Sequence, residues 1–176
     1  MEYFKITETE LKTSEILQKC KDKFPVWSYL DDNRLDKDFP LPKKITTRYF
    51  KKNIEADEEL KNKSAEDLEK EYIEGITLRE RLLLELQYFE ETGKHLDIKN
   101  ITICSGSRDL DGYVPYVFWY DVKLQVSWSN PSYRNAGLRS REVVTLDSFS
   151  FNPSDLESRV KSLENQVESL RKFLVF

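Results

Sequence analysis

The stretch that decides the fold is Thr77–Gly93, TLRERLLLELQYFEETG. It is the longest apolar run with both a helix start and a helix stop, because Thr77 and Glu80 have the spacing of a capping box and Gly93 supplies a left-handed end. At 3.6 residues per turn its apolar side chains form two ridges on opposite sides of the helix. One ridge consists of Leu78, Leu82, Leu83, Leu86 and Phe89, and the other consists of Leu84 and Tyr88. The sequence therefore predicts a central helix that is covered from two directions.

A pattern of period two follows this helix. Every even-numbered position from Val114 to Trp128 is apolar, which is the alternation of a half-buried strand. These fifteen residues exceed the usual strand length of about 5–6, so the pattern predicts a hairpin around Tyr120 to Lys123, although no Gly or Asn marks a turn there. Leu82 and Phe118 are then expected to meet in one packed interior. The predicted fold class is α+β, with a central amphipathic helix packed on a small, mainly antiparallel sheet.

The N-terminal part is less regular than the core. Its first predicted element is a helix from the Thr7–Glu10 capping box to about Lys23, followed by an irregular loop pinned by aromatic residues over 25–44. Residues 45–50 suit a strand or a helix, and Ser64 with Asp67 begins another helix. Further strands are predicted over 96–104, with a short helix or strand over 138–146. Residues 1–152 are thus predicted to form one globular domain, with a helical and irregular part over 1–63 and a core over 64–152.

The last segment, 153–176, carries a heptad pattern. A capping box at Ser154 and Glu157 precedes apolar residues that recur at alternating spacings of four and three, which are Leu156, Val160, Leu163, Val167, Leu170 and Leu174. Valine at the a positions with leucine at the d positions favours a parallel two-stranded coiled coil. The sequence therefore predicts a coiled-coil oligomerisation helix and a homodimer. The alternative is a terminal helix that folds back on the core.

The composition limits the class of protein. The chain has 176 residues, 39% hydrophobic and 34% charged, with a formal net charge of −4, which indicates a folded protein with a well-solvated surface and no basic arm. No leader pattern and no run approaching about 18 apolar residues is present. Cys20 and Cys104 lack ligand-like or disulfide-like spacing, so both are expected to be reduced core residues. We expect a cytoplasmic protein of bacterial or viral type, without a membrane partner.

Catalytic patterns are weak. His95 is the only histidine and follows a helix stop, so a capping role is favoured over catalysis, and neither a metal nor another cofactor is expected. The run Cys104–Arg108, CSGSR, suits an anion cradle, although a plain turn explains it as well. Asp109 and Asp111 resemble the start of a calcium loop, but Tyr120 stands where the twelfth-position glutamate belongs.

One enzymatic alternative remains open at this stage. Asp121 and Lys123 have the carboxylate-x-lysine spacing of metal-dependent nucleases, in which carboxylates hold Mg²⁺ and the lysine assists the attacking water. Asp109 or Asp111 would supply a second carboxylate. Such three-residue matches are common by chance, so the sequence favours no catalytic residues and a non-enzymatic protein.

A group of arginine and aromatic residues is the best binding candidate. Its members lie in the loops around the hairpin and are Arg108, Trp128, Tyr133, Arg134, Arg139 and Arg141. Arginine, tyrosine and tryptophan dominate protein interfaces, although the same types also bind a phosphate backbone and stack on bases. Because the net charge is negative, we expect an unidentified protein partner, with nucleic-acid binding through Arg134, Arg139 and Arg141 as an alternative. The predicted function is that of an interaction or regulatory protein that self-associates through its C-terminal helix.

Overall fold

A computed structural model describes residues 2–144 and Lys161 of this chain. The predicted coiled-coil residues Leu156–Leu174 and the predicted domain boundary near 152 lie outside the described residues, and both remain predictions. The elements in chain order are β1 (Tyr3–Thr7), α1 (Thr13–Lys21), β2 (Val26–Ser28), α2 (Asp32–Asp38), β3 (Thr47–Lys51), a 3₁₀ turn (Glu58–Leu60), α3 (Ala65–Lys70), α4 (Leu78–Thr92), β4 (Ile101–Ile103), β5 (Val114–Tyr120), β6 (Lys123–Ser129) and β7 (Leu138–Arg139).

The central helix, α4, is confirmed at both ends. The Thr77 hydroxyl accepts from the Glu80 N–H at 3.2 Å, and the Glu80 carboxylate accepts from the Thr77 N–H at 2.9 Å. This reciprocal pair satisfies N–H groups that have no partner inside the helix. Gly93 ends the helix in the left-handed conformation at φ 66°, which glycine adopts without steric cost.

Helix α4 is covered from two directions, as its two ridges predict. On one side Leu78 and Leu82 pack among residues of α1, α2, β5 and β6, which include Ile16, Leu17, Leu35, Val117, Leu124 and Val126. On the other side Leu84 and Tyr88 pack against the two-stranded sheet of β1 and β3 through Phe4, Ile6 and Phe50. The helix therefore joins two separate hydrophobic clusters.

The α+β class is confirmed, although the main sheet is mixed. Five strands lie in the order β2-β6-β5-β4-β7, and β1 pairs antiparallel with β3 in a separate two-stranded sheet. The central pairs β6–β5 and β5–β4 are antiparallel, while the edge pairs β2–β6 and β4–β7 are parallel. The parallel strands come from distant segments, so no local pattern in the sequence indicates their direction.

The predicted hairpin is present, but the residues that face the core are odd-numbered in β5 and even-numbered in β6. Asp121 and Val122, at φ 49° and 54°, form a two-residue turn, so Tyr120 pairs with Lys123 and Phe118 with Gln125. An even residue of β5 therefore lies beside an odd residue of β6 on the same face of the sheet. Val117 faces α4 together with Leu124 and Val126, whereas Phe118 lies on the opposite face. The expectation that Phe118 meets Leu82 is wrong.

The N-terminal helix prediction is wrong at its start. Residues Tyr3–Thr7 form β1, in which Phe4 and Ile6 are buried against α4, and α1 begins only at Thr13. The segment predicted as an irregular loop contains β2 and α2, and only the last part of 96–104 is a strand. In each case pairing or packing with a distant segment overrides the local pattern. The strand alternative for 45–50 and the capped helix at Ser64 are confirmed.

Candidate interaction surfaces

The carboxylates of the nuclease alternative are not brought together. Asp109 and Asp111 precede β5, and Asp121 follows it, so seven strand residues of about 3.3 Å each separate them. The Asp109 carboxylate accepts from the Asp111 and Tyr113 N–H groups and thereby shapes its own loop. Over residues 2–144 no group of three or more His, Cys, Asp or Glu side chains is placed to hold a metal ion. Within this range Asp121 is therefore not part of a carboxylate group placed to hold a metal ion.

Both cysteines lie in the interior. Burial raises the pKa of Cys20 to about 12 and also raises the pKa of Cys104, which is fully buried. A thiol that stays protonated at neutral pH is a poor nucleophile. Cys104 thus lacks the exposed, electropositive surroundings of a reactive cysteine.

The three arginines of the nucleic-acid alternative do not share a face. Arg141 is fully buried and donates to the carbonyls of Asn53 and Ile54, each at 2.9 Å. Arg139 is mostly buried and pairs with Glu58, while Arg134 is exposed and pairs with Asp67 at 2.7 Å. A phosphate backbone needs several exposed cations side by side, and this set does not supply them. Arg141 is a core residue, so its assignment to a binding surface is corrected.

Arg141 belongs to a buried ionic network that the sequence analysis missed. Asp97 lies between two fully buried arginines, with its carboxylate accepting from Arg81 Nε at 2.9 Å and from Arg141 Nη2 at 2.8 Å. Arg81 also donates to Glu85 at 2.8 Å, one helical turn along α4. The spacing of Arg81 and Glu85 was visible in the sequence, but it usually marks a solvated helix face.

His95 is part of a ring cluster rather than a helix cap. Its imidazole stacks on Trp119 with ring centroids 3.3 Å apart, and Nδ1 lies 2.9 Å from the Glu85 carboxylate. Phe24 and Phe89 complete the cluster. The predicted capping role is therefore wrong. His95 links the ionic network to the hydrophobic interior.

Trp128 lies in a second aromatic cluster, on the α4 side of the sheet. Its ring centroid is 4.3 Å from that of Tyr113 and 6.4 Å from that of Tyr29, whose hydroxyl donates to Asp109 at 3.2 Å. Trp128 remains 44% exposed, and Tyr133, which is also a candidate, is 48% exposed. Of the six predicted binding residues, Trp128, Tyr133 and Arg134 are exposed, and Arg108 is partly exposed.

The opposite side of the sheet carries an aromatic surface that was not predicted. Tyr116, Phe118 and Tyr120 form a row along β5 with ring centroids 5.9 and 6.2 Å apart, and Trp27 of β2 lies on the same face through its pairing with Gln125. Trp27 is 48% exposed and Tyr120 is 66% exposed. We call this surface the outer sheet face, and its residues are Trp27, Tyr116, Phe118, Tyr120, Lys123, Gln125 and Ser127.

The two-residue turn is the reason that the sequence analysis missed this surface. If every even-numbered residue faced the core, Phe118 and Tyr120 would be buried. The two-residue turn instead pairs even residues of β5 with odd residues of β6, so the even residues of the two strands lie on opposite faces, and those of β5 are on the outer side. The sequence contained one indication of this surface. Val117 and Trp119, at odd positions, are also apolar, so both faces of β5 carry apolar side chains. Ala65 of α3 packs on this side, at the end formed by Ile103, Val114 and Leu138.

Arg108 lies apart from these surfaces. Its Nη1 donates to the carbonyl oxygens of Ser105 and Ser107, each at 2.9 Å. The loop from Ser105 to Arg108 forms one wall of a cavity whose other wall is α3. The run considered as an anion cradle is thus a turn that also lines a cavity.

Comparisons with protein-family models, curated proteins and solved structures find no match to this chain. No helix in the described part is long and apolar enough to cross a membrane. The fold and surfaces define an α+β protein with an open aromatic sheet face.

Proposed function

We propose that this chain is a non-enzymatic interaction protein that binds a protein partner through the outer sheet face and self-associates through its C-terminal heptads. The observation that carries the proposal is the row of partly exposed aromatic rings on a sheet face that no described element covers completely. Tyrosine and tryptophan are enriched at the energetic centres of protein interfaces.

The charge of the outer sheet face favours an apolar protein surface as the partner. Among the side chains that the strands present on this face, only Lys123 is charged, and Asp121 lies 3.8 Å from its ammonium group. A single-stranded nucleic acid would also stack on the rings, but it needs a basic groove along its phosphates. Without such cations, the rings are better suited to apolar side chains and uncharged polar groups of a protein.

A pair of aromatic substitutions tests the outer sheet face. We expect the double variant Trp27→Ser, Tyr120→Ser to lose a partner that the wild-type chain retains, with affinity falling at least about tenfold, because hot-spot rings each contribute about 1–2 kcal/mol or more. The measurement is quantitative affinity purification from the source cell, followed by titration of the retained protein. Both side chains are substantially exposed, so the fold should remain intact.

Trp128→Ser is the matched control, because Trp128 is similarly exposed on the other side of the sheet. A partner lost equally in the control would place the interface elsewhere. Tight, salt-dependent binding of a single-stranded oligonucleotide that disappears in the double variant would replace the protein partner with a nucleic acid.

A second experiment tests self-association. Leu163→Asp places a charge at a d position of the heptads and should convert a dimer of the full chain into a monomer, as measured by light scattering at about 10–100 μM. Ser162→Asp adds the same charge at the neighbouring outward position and should leave the dimer intact. A wild-type chain that is monomeric throughout this range would contradict self-association.

A further inference from the structure

A cavity of about 330 Å³ lies between α3 and the loop that follows β4. Ala65, Leu68 and Ile73 give it an apolar side, and Ala65 and Leu68 are buried. Its polar residues are Glu69, Glu74, Ser105, Ser107 and Arg108. Binding sites for small molecules measure about 300–1,000 Å³, so this cavity suits only a small ligand.

Two glycines bring the walls of the cavity together. Gly106 donates to the Ile76 carbonyl at 3.1 Å, and a Cβ atom at Gly106 would lie 2.3 Å from the Gly75 carbonyl oxygen. That oxygen belongs to the backbone and has little freedom to move. The loop is therefore fixed against the segment that begins α4, and the cavity is formed without a ligand.

One end of the cavity is suited to an anion. Two carbonyls hold Arg108 through Nη1, and Nε and Nη2 make no hydrogen bond within the described residues. The Ser107 hydroxyl accepts from the Leu78 N–H at 2.9 Å, so its own proton is free to donate. Leu78 is the first residue of α4, whose N-terminus adds a partial positive charge. These three groups are complementary to a carboxylate.

The same cavity also presents two carboxylates. Glu69 is 77% exposed, and its Oε2 lies 3.6 Å from Arg108 Nη2, which is a loose contact that a ligand can displace. Glu74 pairs with Arg48 through Oε1 at 2.7 Å, and Oε2 makes no hydrogen bond within the described residues. A simple anion would be repelled by these glutamates, and a simple cation by Arg108. A ligand with both charges is complementary to the whole rim.

We propose that this cavity binds a small zwitterion of the α-amino-acid class. The ligand carboxylate lies on Arg108 and Ser107, the ammonium group on Glu69 and Glu74, and an apolar side chain against Ile73. This ligand site is independent of the outer sheet face, and the two sites are tested separately.

Calorimetric titration of the full chain tests the proposal. The twenty standard amino acids are first screened by thermal shift, and the best apolar one, such as L-leucine, is compared with its N-acetyl and amide derivatives. We expect saturable binding of the amino acid and at least about tenfold weaker binding of each derivative, since each lacks one charge. Arg108→Gln should weaken binding of the amino acid about tenfold and should not weaken binding of the amide, which is a cation that Arg108 repels. Glu69→Gln should instead reduce the preference over the N-acetyl derivative.

The controls separate binding from folding. Glu69 is so exposed that Glu69→Gln should not alter the fold, and Arg134→Gln removes a nearby arginine outside the cavity. Arg134→Gln should leave amino-acid binding unchanged. The proposal is overturned if no amino acid binds saturably at up to about 10 mM, where millimolar Kd values are still measurable. Equal binding of the amino acid and both derivatives, or equal weakening by Arg108→Gln and Arg134→Gln, would also overturn it.

Discussion

Replacing Asp97 with alanine is expected to lower the free energy of unfolding by about 3–5 kcal/mol, which is the usual cost of breaking a buried ion pair from one side. Asp97 accepts from Arg81, Arg141 and Thr102, and the side chains of both arginines are fully buried. Without this carboxylate, Arg81 retains only Glu85, and Arg141 retains only backbone carbonyls. Chemical denaturation monitored by circular dichroism measures the loss.

Two comparison variants separate charge from backbone and surface effects. Asp97 has φ 53°, which alanine adopts at a cost of about 1–2 kcal/mol, whereas asparagine tolerates this conformation. Asp97→Asn therefore removes the charge and one acceptor oxygen without the backbone cost, and should still cost several kcal/mol. Glu90→Ala removes an exposed pair with Lys23 and should cost less than about 1 kcal/mol. An equally small cost for Asp97→Asn would show that the network does not stabilise the fold.

The same network predicts how stability depends on pH. Burial by itself would raise the pKa of Asp97, but the neighbouring Arg141 and Arg81 outweigh that effect and hold this pKa below its usual range. The unfolded chain therefore binds this proton at higher pH, near the ordinary value of about 3.9. The stabilisation is complete well above pH 4 and is lost as the pH falls towards the native pKa. The Asp97→Asn variant should lose less stability than the wild-type chain between about pH 6 and pH 3.

The sequence predicted those parts of the fold that local chemistry determines. The Thr77 capping box and the Gly93 stop depend on neighbouring residues, and the structure confirms both. The hairpin predicted around Tyr120 to Lys123 is also present, although strand length placed it there and no Gly or Asn marks its turn. The parallel pairings of β2 and β7 depend on segments far apart in the chain. The start of α1 was wrong for the same reason, because β1 is held by pairing with β3.

The candidate sites were harder to predict because burial is not visible in a single sequence. Arg139 and Arg141 are two residues apart in a segment that resembles an exposed basic loop, yet one pairs with Glu58 and the other lies in the core. Conversely, Phe118 and Tyr120 resemble core residues and lie on the outer sheet face. The Ser105–Arg108 loop was identified as an anion-binding candidate, but Glu69 and Glu74, which line the same cavity, come from a segment that the sequence does not place beside it.

Leu82→Ala is expected to lower the free energy of unfolding by about 2–5 kcal/mol, because it removes a fully buried side chain from the centre of α4. Phe118→Ala removes a larger side chain, but one that is only partly buried on the outer sheet face, and should cost about 1 kcal/mol. Urea denaturation of both variants under the same conditions measures the two costs.

Val117→Ala supplies the decisive comparison, because Val117 is the sequence neighbour of Phe118 and is fully buried against the α4 side of the sheet. Although valine loses fewer atoms than phenylalanine on truncation to alanine, Val117→Ala should cost more than Phe118→Ala. Because the size difference favours a larger cost for Phe118→Ala, the expected order arises from which face of β5 is better covered. The reverse order would mean that the outer sheet face is buried, and it would then be unable to receive a protein partner.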